Sequence, residues 1–298
     1  MTAPVKNSTA LPSLEVLYET AGLPDFGLAD ELVAAYGGPL GFPSTRLFAS
    51  FVASIDGVAA IADVLAPKNM TAATHSADGF VTGLLRACAD AVLIGSGTLR
   101  ASPGARWTAA HAYPPAAKLY AELRRLRGRP PEPTLAVLSG SGGIDPQHPA
   151  LGERTLILTS EQGAAHLGRR LPRTASIVPI GGDSPCDPVS AVEALQNGGH
   201  ALILCEGGPT LFGVLTAAGL VDELFLTLAP LLAGAPRNGH PLSLLGGVRL
   251  PTRQTVDCRL LSLRQAESRL FLRYELMPAD ATAETVRQNV PQEKLGQG

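Results

Sequence analysis

Apolar runs of strand length alternate with helix-length stretches along most of the chain. Within the strand-length runs, polar residues do not alternate with apolar ones, so both faces of these strands are expected to be buried. This pattern predicts a largely parallel sheet that is flanked by helices. The predicted strands span residues 47–53, 91–94, 135–138, 156–159, 176–179, 201–206 and 223–228, and the predicted helices span residues 77–88, 118–127, 189–196 and 211–218.

The pattern changes near the C-terminal end of the chain. Residues 256–263 and 269–275 follow one another with only a short polar turn between them, which predicts an antiparallel hairpin at one edge of the sheet. The predicted fold class is therefore α/β, with three αβα layers around a mostly parallel, mixed central sheet. We expect residues 1–40 to form a partly ordered arm, residues 41–277 to form the domain, and the polar residues 278–298 to form a disordered tail.

Composition and charge narrow the classes of function. The 298 residues are 45% hydrophobic, which is ample for a buried core, and the net charge of −2 gives no reason to expect nucleic acid as a partner. No segment approaches the roughly 20 apolar residues of a membrane span, so we expect a cytoplasmic protein whose partner is a small molecule. The cysteines and histidines form no CxxC, HxH or HExxH pattern, and no metal site is expected.

Three of the predicted strands end in turns that combine small and polar residues. In open α/β sheets, ligands bind beyond the carboxyl ends of the strands, so these turns are the candidates for a ligand site. The first is Ser54-Ile55-Asp56-Gly57, for which an ordinary Asp-Gly turn is the alternative interpretation. The second is Gly95-Ser96-Gly97-Thr98, whose amides and hydroxyl suit phosphate or ribose oxygens; a simple tight turn is the alternative. It is not a Rossmann fingerprint, because Arg100 stands where the third glycine would be.

The third turn follows the apolar strand 201–206 and carries the strongest signal. Glu206 ends the strand and is followed by Gly207-Gly208-Pro209-Thr210, where the small residues and the new helix N-terminus suit an anion such as a phosphate. An ordinary strand-to-helix turn is the alternative. A carboxylate at a buried strand end is costly unless it has a partner or a task, so the functional interpretation is favoured.

The order and spacing of these segments resemble the reductase domain of bacterial riboflavin biosynthesis, which has a dihydrofolate-reductase-like fold. The resemblance covers about residues 47–274. No zinc-deaminase signature occurs in the chain, so it looks like the stand-alone pyrimidine reductases of some bacteria. The matching elements are Ser54-Ile55-Asp56-Gly57, Leu84-Leu85-Arg86-Ala87, residues 89–95, Gly97-Thr98, Glu206-Gly207-Gly208-Pro209-Thr210-Leu211 and Val221-Asp222-Glu223-Leu224.

This resemblance implies that NADPH reduces the ribosylamino group of an aminopyrimidine phosphate to a ribitylamino group, and it implies a homodimer. Ser54, Asp56 and Glu206 are implied on the substrate side. The implied cofactor contacts are Ala53, Thr74, Gly95, Gly97, Thr98, Ser102, Ser139, Gly207, Gly208, Pro209, Thr210, Leu211 and Phe212. The contacts from Gly208 onwards belong to a helix-opening segment that extends to Val214.

The reduction needs one proton beside the hydride, and a carboxyl group can donate it or balance the charge of an iminium. Glu206 is the first candidate for this role and Asp56 is the second. Two positions depart from the family: Ser102 stands where an aspartate is usual, and Ser50 stands where a lysine is usual. These departures keep two alternatives open, a reductase of dihydropterins such as dihydrofolate and an NADPH-binding protein with little catalysis.

Overall fold

The elements expected from the apolar pattern are present in the structure, a computed structural model that describes residues 11–59, 77–152, 154–172, 174–181, 187–234, 243–248 and 255–277. The strands are β1 Glu15–Glu19, β2 Arg46–Ser54, β3 Ala91–Gly95, β4 Thr134–Leu138, β5 Thr155–Thr159, β6 Ala175–Pro179, β7 Leu202–Cys205, β8 Glu223–Ala229, β9 Asp257–Ala266 and β10 Arg269–Met277. The helices are α1 Asp30–Tyr36, α2 Ala77–Cys88, α3 Ser96–Ala101, α4 Ala109–Ala112, α5 Ala117–Leu126, α6 Glu161–Leu167, α7 Pro188–Asn197 and α8 Pro209–Ala217, with 3₁₀ turns at Pro114–Ala116 and Gly168–Arg170.

The strands form one sheet in the order β1-β9-β10-β8-β2-β7-β3-β4-β5-β6. The strands from β8 to β6 are parallel to one another, whereas β10, β9 and β1 continue the sheet in antiparallel fashion. Glu267 and Ser268 connect β9 to β10 with positive φ angles of 52° and 63°, as a tight two-residue hairpin requires. The predicted parallel sheet with a terminal hairpin is confirmed.

Two separate apolar cores lie on opposite faces of the sheet. Along β7, Leu204 packs into the core that contains α1, α2 and α5, and Ile203 packs into the core that contains α7 and α8. Successive side chains of a strand point to opposite faces, so a fully apolar strand serves both cores at once. The three-layer αβα arrangement is confirmed.

The N-terminal segment adds an edge strand and a helix. Strand β1 pairs with β9, and Arg264 of β9 is fully buried, donates to the Tyr36 carbonyl oxygen at 2.9 Å and forms an ion pair with Glu19. These contacts attach residues 15–36 to the hairpin. The division into arm, domain and tail stays a prediction, and residues 278–298 lie outside the described part of the chain.

No helix among the described residues is long and apolar enough to cross a membrane. Within the same residues, no group of three or more histidine, cysteine, aspartate or glutamate side chains is placed to hold a metal ion.

Candidate functional site

The three candidate turns lie side by side because β2, β7 and β3 are neighbours in the sheet. Each turn follows the carboxyl end of one of these strands, and the parallel direction of the strands places all three at one edge. The nonlocal strand order therefore assembles residues 54–57, 95–98 and 206–210 into one region.

Thr98 and Gly208 are in direct contact. The Gly208 amide donates to the Thr98 hydroxyl oxygen at 2.9 Å, so two of the predicted cofactor-binding residues join the turn after β3 to the start of α8. The ladder of α8 begins with the Phe212 amide donating to the Gly208 carbonyl oxygen at 3.1 Å. The amides of Thr210 and Leu211 precede that bond, and the helix itself does not use them. This end of α8 suits an anion.

Gly207 is required by close packing rather than by an unusual backbone angle. A Cβ atom on this residue would lie 2.5 Å from Leu211 Cδ2 and 2.9 Å from Leu211 Cβ. Leu211 also approaches Gly95, whose Cβ would lie 4.0 Å from Leu211 Cβ. The small residues of the two turns thus let α8 sit directly against the end of β3.

A segment near residue 246, which sequence reasoning did not connect to the site, packs on the first turns of α8. The Gly246 amide donates to the Pro209 carbonyl oxygen at 2.9 Å, and a Cβ atom on Gly213 would lie 2.6 Å from the Gly246 carbonyl oxygen. The apolar side chains of Leu244 and Leu245 pack against the same core as α8. This segment helps to fix the helix that carries the candidate phosphate site.

Glu206 has a partner that sequence reasoning missed. Arg86 of α2 donates from Nε to Glu206 Oε1 at 2.9 Å and from Nη2 to Oε2 at 2.6 Å, a bidentate ion pair in which each side chain is 11% exposed. Such a pair fixes the plane of the carboxylate as well as its position. The only signal in the sequence was the Leu84-Leu85-Arg86-Ala87 match, in which the arginine had no assigned role.

The same guanidinium also holds a loop. Arg86 Nη1 donates to the carbonyl oxygens of Arg106 and Thr108, each at 3.2 Å. At the start of this loop, the Ser102 carbonyl oxygen accepts from His148 Nε2 at 3.0 Å. The Arg86 side chain therefore links the end of this loop to Glu206, and His148 holds its start.

Asp56, in the turn after β2, also has hydrogen-bond partners for its carboxylate. Its carboxylate accepts from the Ser54 hydroxyl at 2.5 Å and from the amides of Ala233 and Gly234 at 3.1 and 2.7 Å. The bond from Ser54, followed by those from the two amides, lowers the pKa of Asp56 to about 2. An ionised carboxylate held in this way is unsuited to proton donation, so the proton-donor role considered for Asp56 does not fit; a charge role stays a prediction.

A further carboxyl group that the sequence did not single out lies in the first turn of α2. Burial raises the pKa of Asp78, against the opposing effects of a hydrogen bond with Thr227 of β8 and the charge of Arg269, while the charge of Glu206 adds to the rise. Asp78 therefore lies within electrostatic range of Glu206 and favours its protonated form more than an exposed carboxyl does.

The other predicted site residues occupy the same edge or fall outside the described part. Ala53 lies near the end of β2 in a buried position, and Ser54, the last residue of β2, is fully buried. Ser139 follows β4 and is also buried, while Ser102 caps the C-terminal end of α3. Thr74 lies outside the described residues.

The fold and the strand-end turns define an α/β protein with a candidate ligand site at the carboxyl edge of a mostly parallel sheet. The chain belongs to the RibD C-terminal domain family, whose model matches residues 45–272. The resemblance drawn from the sequence is therefore confirmed, and family membership supports an oxidoreductase. No curated protein matches the sequence.

Solved structures show the same fold. A pyrimidine reductase-like protein from Corynebacterium diphtheriae superposes with a TM-score of 0.64 at 23% identity, over 83% of this chain and 98% of that one. RibD from Acinetobacter baumannii gives a TM-score of 0.56 at 18% identity, over 82% of this chain and 60% of the longer RibD chain. The riboflavin biosynthesis reductase Rib7 of Saccharomyces cerevisiae gives 0.52 at 16% identity, over 81% and 94%.

Proposed function

We propose that the protein is an NADPH-dependent reductase that converts the ribosylamino group of an aminopyrimidine phosphate to a ribitylamino group. The observation that carries the proposal is the contact of Thr98 with Gly208 at the start of α8, directly beside the paired carboxylate of Glu206. A phosphate-binding helix end and a fixed acid at adjacent strand ends are what a dinucleotide-dependent reductase requires. Family membership supports the same reaction class.

The residues present fit a nicotinamide dinucleotide. The α8 N-terminus provides amides that the helix does not use, and the Thr98 hydroxyl, which accepts from Gly208, keeps its own proton for donation to a phosphate oxygen. The candidate contacts Ala53, Gly208, Thr98 and Ser139 lie at the ends of β2, β7, β3 and β4, which are successive neighbours in the sheet. Those strand ends span about 14 Å, at roughly 4.8 Å between neighbouring strands. When bound, the reduced nicotinamide supplies the hydride.

Glu206 is proposed to face the group that is reduced. Its two oxygens use one lone pair each for Arg86, and the remaining lone pairs can accept from an amino or hydroxyl group or balance an iminium charge. In this reaction the sugar C1 of the imine would accept the hydride and the adjacent nitrogen would take up one proton, so the site must supply that proton. Asp78, whose pKa burial raises, is the candidate source of that proton.

The proposed activity is tested by following nicotinamide absorbance with purified protein, NADPH and one substrate at a time. We expect oxidation with the ribosylaminopyrimidine phosphate. Oxidation with dihydrofolate alone would select a dihydropterin reductase, and tight NADPH binding without oxidation would select a binding protein. Absence of NADPH binding would overturn the proposal.

The assignment of Glu206 is tested with Glu206→Gln once a substrate is established. The amide keeps the shape of the side chain but loses its charge, so we expect turnover to fall by about 100-fold or more. The matched control is Glu122→Gln, which makes the same chemical change at an exposed position of α5. Unchanged turnover in Glu206→Gln would show that the acid has another task.

The homodimer and the cytoplasmic location remain parts of this proposal, and they rest on the resemblance to the family. Light scattering coupled to size-exclusion chromatography measures the oligomeric state. A mass equal to that of one 30.8 kDa chain would contradict the proposed homodimer.

A further inference from the structure

The imidazole ring of His148 joins two loops at the carboxyl edge of the sheet. His148 lies in the loop after β4 and is 7% exposed, and its Nε2 lies 3.0 Å from the Ser102 carbonyl oxygen in the loop that follows α3. The other ring nitrogen, Nδ1, accepts from the Ala150 amide at 3.2 Å. Because an amide can only donate, Nδ1 carries no proton and Nε2 donates to Ser102. The neutral tautomer with its proton on Nε2 therefore makes both contacts at once, and they fix the orientation of the ring.

The backbone of His148 is held within its own loop. The His148 amide donates to the Asp145 carbonyl oxygen at 3.2 Å, and the Leu151 amide donates to the His148 carbonyl oxygen at 2.9 Å. The Asp145 side chain stabilises the same turn, since its Oδ1 accepts from the Gln147 amide at 2.9 Å. The loop after β4 is thus a fixed support from which the ring reaches the neighbouring loop.

The same ring also contacts the far end of the loop of residues 102–108. The Trp107 ring lies 6.2 Å from the His148 ring between centroids, with 35° between the two planes, and Trp107 is only 6% exposed. Between these contacts, the Ala105 amide donates to the Ser102 carbonyl oxygen at 3.0 Å and closes a turn. One side chain from outside the loop therefore contacts it near both of its ends.

The position of this loop matters because its end lies beside Glu206. Arg86 donates from Nε and Nη2 to the Glu206 carboxylate, and it donates from Nη1 to the carbonyl oxygens of Arg106 and Thr108. The carboxylate and the loop backbone are therefore bound to two edges of one guanidinium group. A molecule bound at Glu206 has this loop as a neighbouring wall.

We infer that His148 is a positioning residue for the substrate of this enzyme. It holds the loop of residues 102–108 in place before the substrate binds, so that the substrate meets a preformed wall beside Glu206. This inference rests on the proposed function, because it concerns the substrate side of the same site. The two ring nitrogens are used by Ser102 and Ala150, so His148 takes no part in hydride or proton transfer.

The first test uses Trp107, the only tryptophan of the chain, as a probe of the loop. His148→Leu removes the donor to Ser102 and the ring beside Trp107, so we expect acrylamide to quench the fluorescence about twofold more strongly than in the wild type. His148→Gln keeps an N–H donor and should restore most of the protection. His166→Leu is the matched control at an exposed position of α6 and should be quenched like the wild type. Equal quenching in His148→Leu and the wild type would overturn the inference.

The second test measures steady-state kinetics with the ribosylaminopyrimidine phosphate and NADPH. We expect His148→Leu to raise the substrate KM about tenfold, while kcat and the Kd of NADPH change by less than about twofold. His148→Gln should stay within about threefold of the wild-type KM. If His148→Leu does not fold, His148→Asn takes its place, since its shorter side chain does not reach Ser102. Equal weakening of substrate and NADPH, together with a lower melting temperature, would indicate a purely structural histidine and overturn the positioning role.

The outcomes separate this inference from the proposed function. If the wild type reduces the ribosylaminopyrimidine phosphate and His148→Leu has an unchanged KM, the positioning role is wrong while the reductase proposal stands. If the wild type does not reduce this substrate, the proposed function fails, and the role of His148 towards that substrate fails with it. The quenching of Trp107 needs no substrate, so it shows in either case whether His148 holds the loop.

Discussion

At the scale of single residues, the position and orientation of the Glu206 carboxylate are fixed by Arg86, which lies 120 positions away in the sequence. The strand-end position of the acid was readable because an apolar strand runs directly into it. The role of Arg86 as the partner of this acid cannot be predicted from the sequence, because Leu84-Leu85-Arg86-Ala87 has the pattern of an ordinary helix with one polar position. Local sequence patterns can identify residues at the ends of strands and helices. A buried ion pair between two such elements can be identified only when the fold is known.

We expect the removal of one partner of the Arg86–Glu206 ion pair to destabilise the folded protein strongly. Arg86→Met should lower the free energy of unfolding by about 3–5 kcal/mol, since it leaves a mostly buried carboxylate unpaired. The double variant Arg86→Met with Glu206→Gln should lose less than the sum of the two single variants. Chemical denaturation measures all three, and the exposed pair Glu122–Arg125 is the control, for which Arg125→Gln should cost less than about 1 kcal/mol. Additive losses at Arg86 and Glu206 would contradict this coupling.

We expect the Asp56 carboxylate to stabilise the fold at neutral pH and to lose this effect in acid. Its pKa is lowered from 3.8 to about 2 in the folded protein, so the ionised carboxylate stabilises the fold fully above 3.8, and this stabilisation is lost as the pH falls towards 2. The melting temperatures of the wild type and of Asp56→Asn should therefore differ by a constant amount at neutral pH and converge in acid. A difference that grows with acidification would show that the contacts of Asp56 with Ser54 and Gly234 do not hold the ionised form.

At the scale of elements, the strands and helices were largely predictable and their connections were not. Apolar runs such as 91–94 and 202–204 are too short for typical helices and end at glycine-containing turns, so their local sequence favours the buried strands β3 and β7. The pairing of β1 with β9 joins residues 243 to 250 positions apart, and Arg264, a buried charge within β9, forms an ion pair with Glu19 of β1. No local rule predicts that a strand carries a fully buried arginine.

The junction of β7 with α8 gives a prediction about close packing. Gly207→Ala places a Cβ atom 2.9 Å from the Cβ atom of Leu211, which cannot rotate away, so we expect a loss of about 1–3 kcal/mol in stability together with weaker NADPH binding. Gly104→Ala is the control because a Cβ atom there meets nothing within 4 Å, and it should change stability by less than about 0.5 kcal/mol. Equal thermal stability of the two variants would show that the turn can relax.

At the scale of the whole molecule, the sheet separates two cores that each contain a buried thiol. Cys88 lies in the core with α2, and Cys205 lies in the core with α8. Burial raises the pKa of each thiol to about 12, so neither is reactive in the folded protein, whereas Cys258 is exposed. The two buried thiols therefore report on the two faces of one sheet.

We expect these thiols to become reactive together. Pulsed alkylation along a urea gradient, read by mass spectrometry, should give Cys88 and Cys205 the same midpoint, because the strands that separate the cores belong to both. Cys258 should be labelled without denaturant. Different midpoints for Cys88 and Cys205 would show that one helical layer opens while the other remains packed.

The loop of residues 102–108 is anchored by carbonyl oxygens of Ser102, Arg106 and Thr108, which accept from His148 and Arg86. Every residue has a carbonyl group, so these anchors do not depend on which side chains the loop carries. The exposed positions Pro103, Gly104 and Arg106 can accordingly be randomised in a library of constant length while the backbone path is kept. The fold thus holds this segment in place while the side chains at these three exposed positions vary, so the chemical groups that the loop presents can be changed without changing its path.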